Sequence, residues 1–122
     1  MSSNVIEIFF EKEILSMNKK ILEILFDYES TNEKQIIELA TGAKEYAKLL
    51  QEVKGLVWKI FIINDEKKLT GGLYLFENEK AAMDYIEGPV FNLLKSMPGL
   101  NNFRIKFFDV MEEQSKMTRA PI

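Results

Sequence analysis

Residues 21–28 alternate with a period of two, Leu22, Ile24, Phe26 and Tyr28 on one side and Ile21, Glu23, Leu25 and Asp27 on the other, which predicts a strand. The period then changes. Ile36, Leu39, Ala40, Ala43, Tyr46, Ala47, Leu50 and Val53 recur at three and four, predicting a helix capped by Thr31 and stopped by Gly55. A second strand follows over residues 56–63, with Leu56, Trp58, Ile60 and Ile62 on one side and Val57, Lys59, Phe61 and Ile63 on the other. The polar run 64–68 is a turn, and residues 71–76 form a third strand beginning on Gly71-Gly72. Gly71-Gly72 lacks the strand-to-helix setting of a phosphate loop and reads as a bulge or a close backbone approach. Asn78 caps a second helix whose stripe is Ala82, Tyr85 and Ile86. Gly88-Pro89 breaks that helix, which resumes over residues 90–97. A fourth strand over residues 103–110 sets Phe103, Ile105 and Phe107 against Arg104, Lys106, Phe108 and Val110.

The order βαββαβ predicts an α+β, ferredoxin-like domain over residues 19–110, with an antiparallel four-stranded sheet and its helices on one face. Residues 1–18 are an N-terminal extension. Ile6, Phe9, Phe10, Ile14 and Met17 predict a helix there over residues 3–16, with a strand as the alternative. Residues 111–122 are a mostly polar tail that could run over a neighbouring subunit.

Continuing the alternation puts Phe61, Ile63, Leu73, Leu75, Phe108 and Val110 on the helix-free sheet face. That face is too apolar to stand in water, and a second copy of the chain is the economical cover, giving a homodimeric α+β barrel. Glu23, Asp27, Lys59, Arg104 and Lys106 fall on the same face by this count, as the lining of a partly solvated cavity would.

Composition narrows the chemistry. The 122-residue chain has no cysteine and no histidine, so disulfides, Cys/His zinc sites, Ser-His-Asp triads and His-ligated haem are excluded. Acid–base work near neutral pH then requires a raised carboxylate, or a lysine or tyrosine lowered by its surroundings. A net charge of −3 gives no footprint for nucleic acid. No apolar run has the length of a membrane span and no signal peptide is recognisable, so a cytoplasmic protein is expected.

Three blocks carry a family resemblance: Gly55-Leu56-Val57-Trp58-Lys59; Gly71-Gly72-Leu73-Tyr74-Leu75-Phe76 with residues 79–86; and Phe107-Phe108-Asp109-Val110 with the tail. Together they resemble the YdhR-type monooxygenase family of the dimeric α+β barrel superfamily. The resemblance implies a ferredoxin-like fold, a homodimer built by sheet packing, and a monooxygenase activity inherited from superfamily members that oxidise polycyclic phenols with neither metal nor flavin. The N-terminal extension and Gly88-Pro89 depart from the family pattern and put substrate access in question.

Lys59, flanked by Val57 and Phe61, is the candidate catalytic group, because a desolvated amine can stabilise a phenolate or enolate or lose its proton. Its bland alternative is an interfacial salt bridge to Glu23 or Asp27. Trp58, Phe61, Tyr74, Phe108 and Arg104 are candidate substrate-binding residues. Trp58 would stack on a planar ring, or else be a core or interface tryptophan. Tyr74 would hold a substrate hydroxyl, or else pack beside the glycines. Arg104 and Lys106 equally fit a solvated sheet edge. The function expected is oxygenation of a small aromatic or quinol-like molecule without a cofactor. The alternative is a non-catalytic dimeric module of the same fold that binds a small apolar ligand or a protein.

Overall fold

A computed structural model describes Glu7 and residues 18–122. The helix expected over residues 3–16 therefore lies, Glu7 apart, outside the described residues. The elements are β1 (Lys20–Tyr28), α1 (Glu33–Leu50), β2 (Leu56–Asn64), β3 (Leu69–Phe76), α2 (Glu79–Glu87), α3 (Pro89–Lys95), β4 (Leu100–Asp109) and α4 (Glu112–Met117). The strands pair antiparallel in the order β2-β3-β1-β4, so the domain is ferredoxin-like, as the pattern predicts.

One face of the sheet carries the core. Leu22, Ile24 and Phe26 of β1 and Tyr74 and Phe76 of β3 meet Tyr46 and Leu50 of α1, Ala82 and Tyr85 of α2, and Phe91 and Leu94 of α3. Burying each of the large side chains among these is worth about 1.5–3 kcal/mol. The residue capping α1 is Asn32, not Thr31: the Asn32 side chain accepts from the Gln35 N–H at 3.0 Å, while the Thr31 N–H is taken by the Gln35 carboxamide. Asn78 caps α2 as expected, accepting from the Ala81 N–H at 2.9 Å. Extended Gly88 ends α2, and Pro89 starts α3, where its missing N–H costs nothing.

The face assignment of β2 is a correction. Leu56 pairs with Phe76 and Trp58 with Leu75, so Val57 is an extra residue, a β-bulge. Past the bulge every side chain changes sides. Lys59 pairs with Tyr74, Phe61 with Gly72 and Ile63 with Thr70, so these three lie on the helix side of the sheet. Leu73, Leu75, Phe108, Glu23, Asp27, Arg104 and Lys106 keep the helix-free face, and Trp58, Ile60 and Ile62 join them.

Gly71 and Gly72 sit in an unbroken register with β1, so they are a close approach and not a bulge. A Cβ on Gly71, whose φ is +151°, would stand 1.9 Å from the Ile24 carbonyl oxygen. The tail folds back on its own sheet: the Trp58 indole N–H donates to the Pro121 carbonyl at 2.7 Å.

Candidate active site

A cavity of about 370 Å³ lies between the sheet and the helices. Phe26 and Tyr28 of β1, Lys59 and Phe61 of β2, and Leu39 and Tyr46 of α1 supply much of its wall. Leu94 of α3, Met97 of the turn after it and Leu100 at the start of β4 close it, and Gln35, Glu38 and Glu29 add polar groups. On the helix side, α2 packs on the central strands β1 and β3, α3 packs on β4, and α1 packs against α3.

Lys59 is the one lysine in that wall among the described residues. Its ammonium lies 3.8 Å from the Phe61 ring centre, 4.6 Å from Tyr74 and 5.1 Å from Tyr46. These faces attract a cation, but less than water solvates one. No carboxylate among the described residues lies within ion-pair distance of it: Asp27 pairs with Arg104 at 3.0 Å, across the sheet. Neither salt bridge considered for Lys59 therefore forms. Burial pulls the amine down to about 7, so neutral and charged forms coexist near neutral pH. Gly72 makes the pose possible, since a Cβ there would come within 2.4 Å of the Lys59 Cε.

Below the amine runs a chain of tyrosine hydroxyls. The Tyr46 and Tyr85 oxygens are 2.6 Å apart and those of Tyr85 and Tyr74 3.0 Å apart, and Tyr46 donates to the Val90 carbonyl at 3.2 Å. With that last bond made, each proton has an acceptor in one direction only: Tyr74 gives to Tyr85, Tyr85 to Tyr46, Tyr46 to Val90. Burial raises all three hydroxyls, Tyr46 to about 12, so the rings under Lys59 stay neutral. At the other end of the cavity Tyr28 donates to Asp65 at 2.5 Å, and burial with that bond pushes it up to about 12.

Of the residues singled out from sequence, the fold brings together Lys59, Phe61 and Tyr74. Tyr74 is fully buried and meets Lys59 through its ring, while its hydroxyl belongs to the tyrosine chain. Trp58, Phe108 and Arg104 lie across the sheet and do not line this cavity. Tyr46 and Tyr85 were missed, because tyrosines at helical spacing read as part of an apolar stripe. Two tyrosines on different helices beside a third on a strand is a signal only once the helices are docked.

A four-stranded antiparallel sheet with its helices on one side defines the ferredoxin-like class of small α+β proteins. A model of the family described as "Putative mono-oxygenase ydhR" matches residues 21–121, and the chain belongs to that family. No curated protein matches the sequence. Solved structures share the fold at low identity. A conserved protein from Bacteroides thetaiotaomicron is 14% identical, with 77% of this chain and 99% of that one covered at a TM-score of 0.59. SnoaB of Streptomyces nogalater, a cofactor-independent oxygenase, is 10% identical over 77% of this chain and 94% of its own, at 0.61. A protein from Deinococcus radiodurans described as a "putative antibiotic biosynthesis monooxygenase" is 10% identical over 75% of this chain and 91% of its own, at 0.57.

Proposed function

We propose that the protein is a cofactor-independent monooxygenase that oxidises a small aromatic or quinol-like phenol in the cavity between sheet and helices. The observation that carries this reading is Lys59: an amine without a carboxylate partner among the described residues, seated on aromatic faces in the cavity wall and lowered to about 7 by burial. Neutral Lys59 takes the phenolic proton, and the ammonium it becomes holds the phenolate. The electron-rich phenolate passes an electron to dioxygen, the two radicals join at a ring carbon, and the peroxide loses water to leave a quinone carbonyl. One oxygen atom goes to product and one to water. The protein's part is to bind, deprotonate and keep solvent out. Membership of a monooxygenase family and the shared fold of SnoaB support it.

The working form in this reading is a homodimer joined through the helix-free sheet face, where Ile60 and Phe108 are about half exposed. Trp58, Phe108 and Arg104 then belong to the subunit contact.

Oxygen uptake with planar phenols and hydroquinones, on wild type and Lys59→Met, is the direct test. Uptake that disappears in the variant supports the reading. Tight phenol binding without any uptake would establish instead the non-catalytic module, which the lack of histidine favours.

A further inference from the structure

We propose that Lys59 is also a covalent capture site for apolar aldehydes and ketones, which it binds as an imine. This goes beyond oxygenation: it uses the same amine but neither dioxygen nor a phenol.

Imine formation asks three things of a site, and the cavity meets each. It needs a nitrogen lone pair exposed to a carbonyl carbon. Lys59 ends in the wall of a cavity of about 370 Å³, and no carboxylate among the described residues holds its nitrogen as an ammonium ion. Its lowered affinity for protons adds to this, since at pH 7 about half of such amines carry a free lone pair, against fewer than about one in a thousand for an ordinary lysine. It needs a surface that fits the carbonyl compound's remainder. Phe26, Phe61, Leu39, Leu94 and Met97 offer an apolar one.

The third need is a home for the product. The amine adds to the carbonyl carbon and one nitrogen proton passes to the carbonyl oxygen, giving a carbinolamine; a second proton, taken from solvent, lets that oxygen leave as water as the C=N bond of the protonated imine forms. Nothing is oxidised or reduced. The protonated imine carries the same single positive charge as the ammonium it replaces, at the same atom. Phe61, Tyr74 and Tyr46 therefore hold the product as they hold the reactant, through their ring faces. A carboxylate partner would have favoured the ammonium over the free amine. Rings tolerate both.

The ligand class is accordingly a small aromatic or branched aliphatic aldehyde, or an unhindered ketone. Charged carbonyl compounds such as keto acids are disfavoured: no arginine lines the cavity, and Glu29 and Glu38 do.

The experiment is reductive trapping on the full chain, under nitrogen, with benzaldehyde and cyanoborohydride at neutral pH, followed by peptide mapping. The expected result is alkylation at Lys59 at least about tenfold faster than at exposed Lys67 of the same molecule. Labelling spread evenly over the lysines would overturn the proposal. Because the comparison is internal to wild type, it does not depend on a variant folding. Gly72→Ala, which displaces the Lys59 side chain, should bring its rate down to that of Lys67; an unchanged rate would likewise count against the cavity as the cause. Running without oxygen separates the two readings. Trapping with no phenol oxidation under air would leave this site standing and remove the oxygenase, and the reverse result would do the opposite.

Discussion

At the scale of single residues, the cost of keeping Lys59 in the wall makes a sharp expectation. Below about pH 7 the folded protein must hold an ammonium half-buried against aromatic rings, whereas the unfolded chain solvates it freely. Lys59→Met should therefore stabilise the fold at pH 6 by about 1 kcal/mol or more while abolishing any phenol oxidation, as read by urea midpoints and oxygen uptake. A loss of stability would mark Lys59 as a structural residue. The tyrosine chain gives an ordered pair of expectations. Tyr85→Phe removes the middle hydroxyl, leaving the buried Tyr74 proton without an acceptor, and should cost about 1–3 kcal/mol. Tyr74→Phe removes only the first donor and orphans nothing, so its cost in the same titration should be clearly smaller. Equal costs would mean that the protons do not run from Tyr74 towards Val90.

Among the elements, α2 is short and owes its start to one side chain, so Asn78→Ala should cost about 1 kcal/mol and loosen the helix that carries Tyr85. Amide hydrogen exchange should show it first in residues 79–82; protection equal to wild type there would refute the cap's role. Capping, alternation and the Gly-Pro break are local chemistry, which is why β1, both helices of the broken pair and the order of the elements along the chain could be read from residues alone. The faces of β2 could not. Nothing in Gly55-Leu56-Val57-Trp58-Lys59 marks Val57 as the extra residue, because both sides of that strand are apolar and either register buries grease. The bulge is decided by what Leu56 and Lys59 meet across the sheet, Phe76 and Tyr74, and that is tertiary information. One inserted residue thus moved Lys59 and Phe61 into the cavity and Trp58 out of it. Phe61 and Lys59 stay neighbours in either register, so the candidate amine was legible while its surroundings were not.

For the whole molecule, the helix-free face and the buried ionisable groups each carry an expectation. Ile60→Lys, in the middle of that face, should convert a homodimer to monomer in light scattering without disturbing the helix-side cavity; a wild-type monomer would remove the dimer outright. The buried groups shape the pH profile of stability, and their signs oppose one another. Between about pH 7 and 10.5 the unfolded chain keeps a proton on Lys59 that the folded chain has shed, so stability climbs with pH across that window. Above about pH 10 the reverse holds for Tyr28, Tyr46, Tyr74 and Tyr85, whose buried hydroxyls keep protons that unfolded tyrosines lose, so stability falls there. On the acid side Asp27, lowered by its bonds to Asn102 and Arg104, and Asp65, lowered by Tyr28 and Lys68, support the fold until pH drops below the usual carboxylate range. The maximum should consequently lie near pH 9 to 10, above the common neutral optimum. Urea titrations followed by the fluorescence of Trp58, the sole tryptophan, measure this directly. Lys59→Met should flatten the climb and leave the alkaline fall in place. A wild-type profile already flat between pH 6 and 9 would mean that Lys59 is solvated in the folded protein, and the cavity chemistry built on it would go with that result.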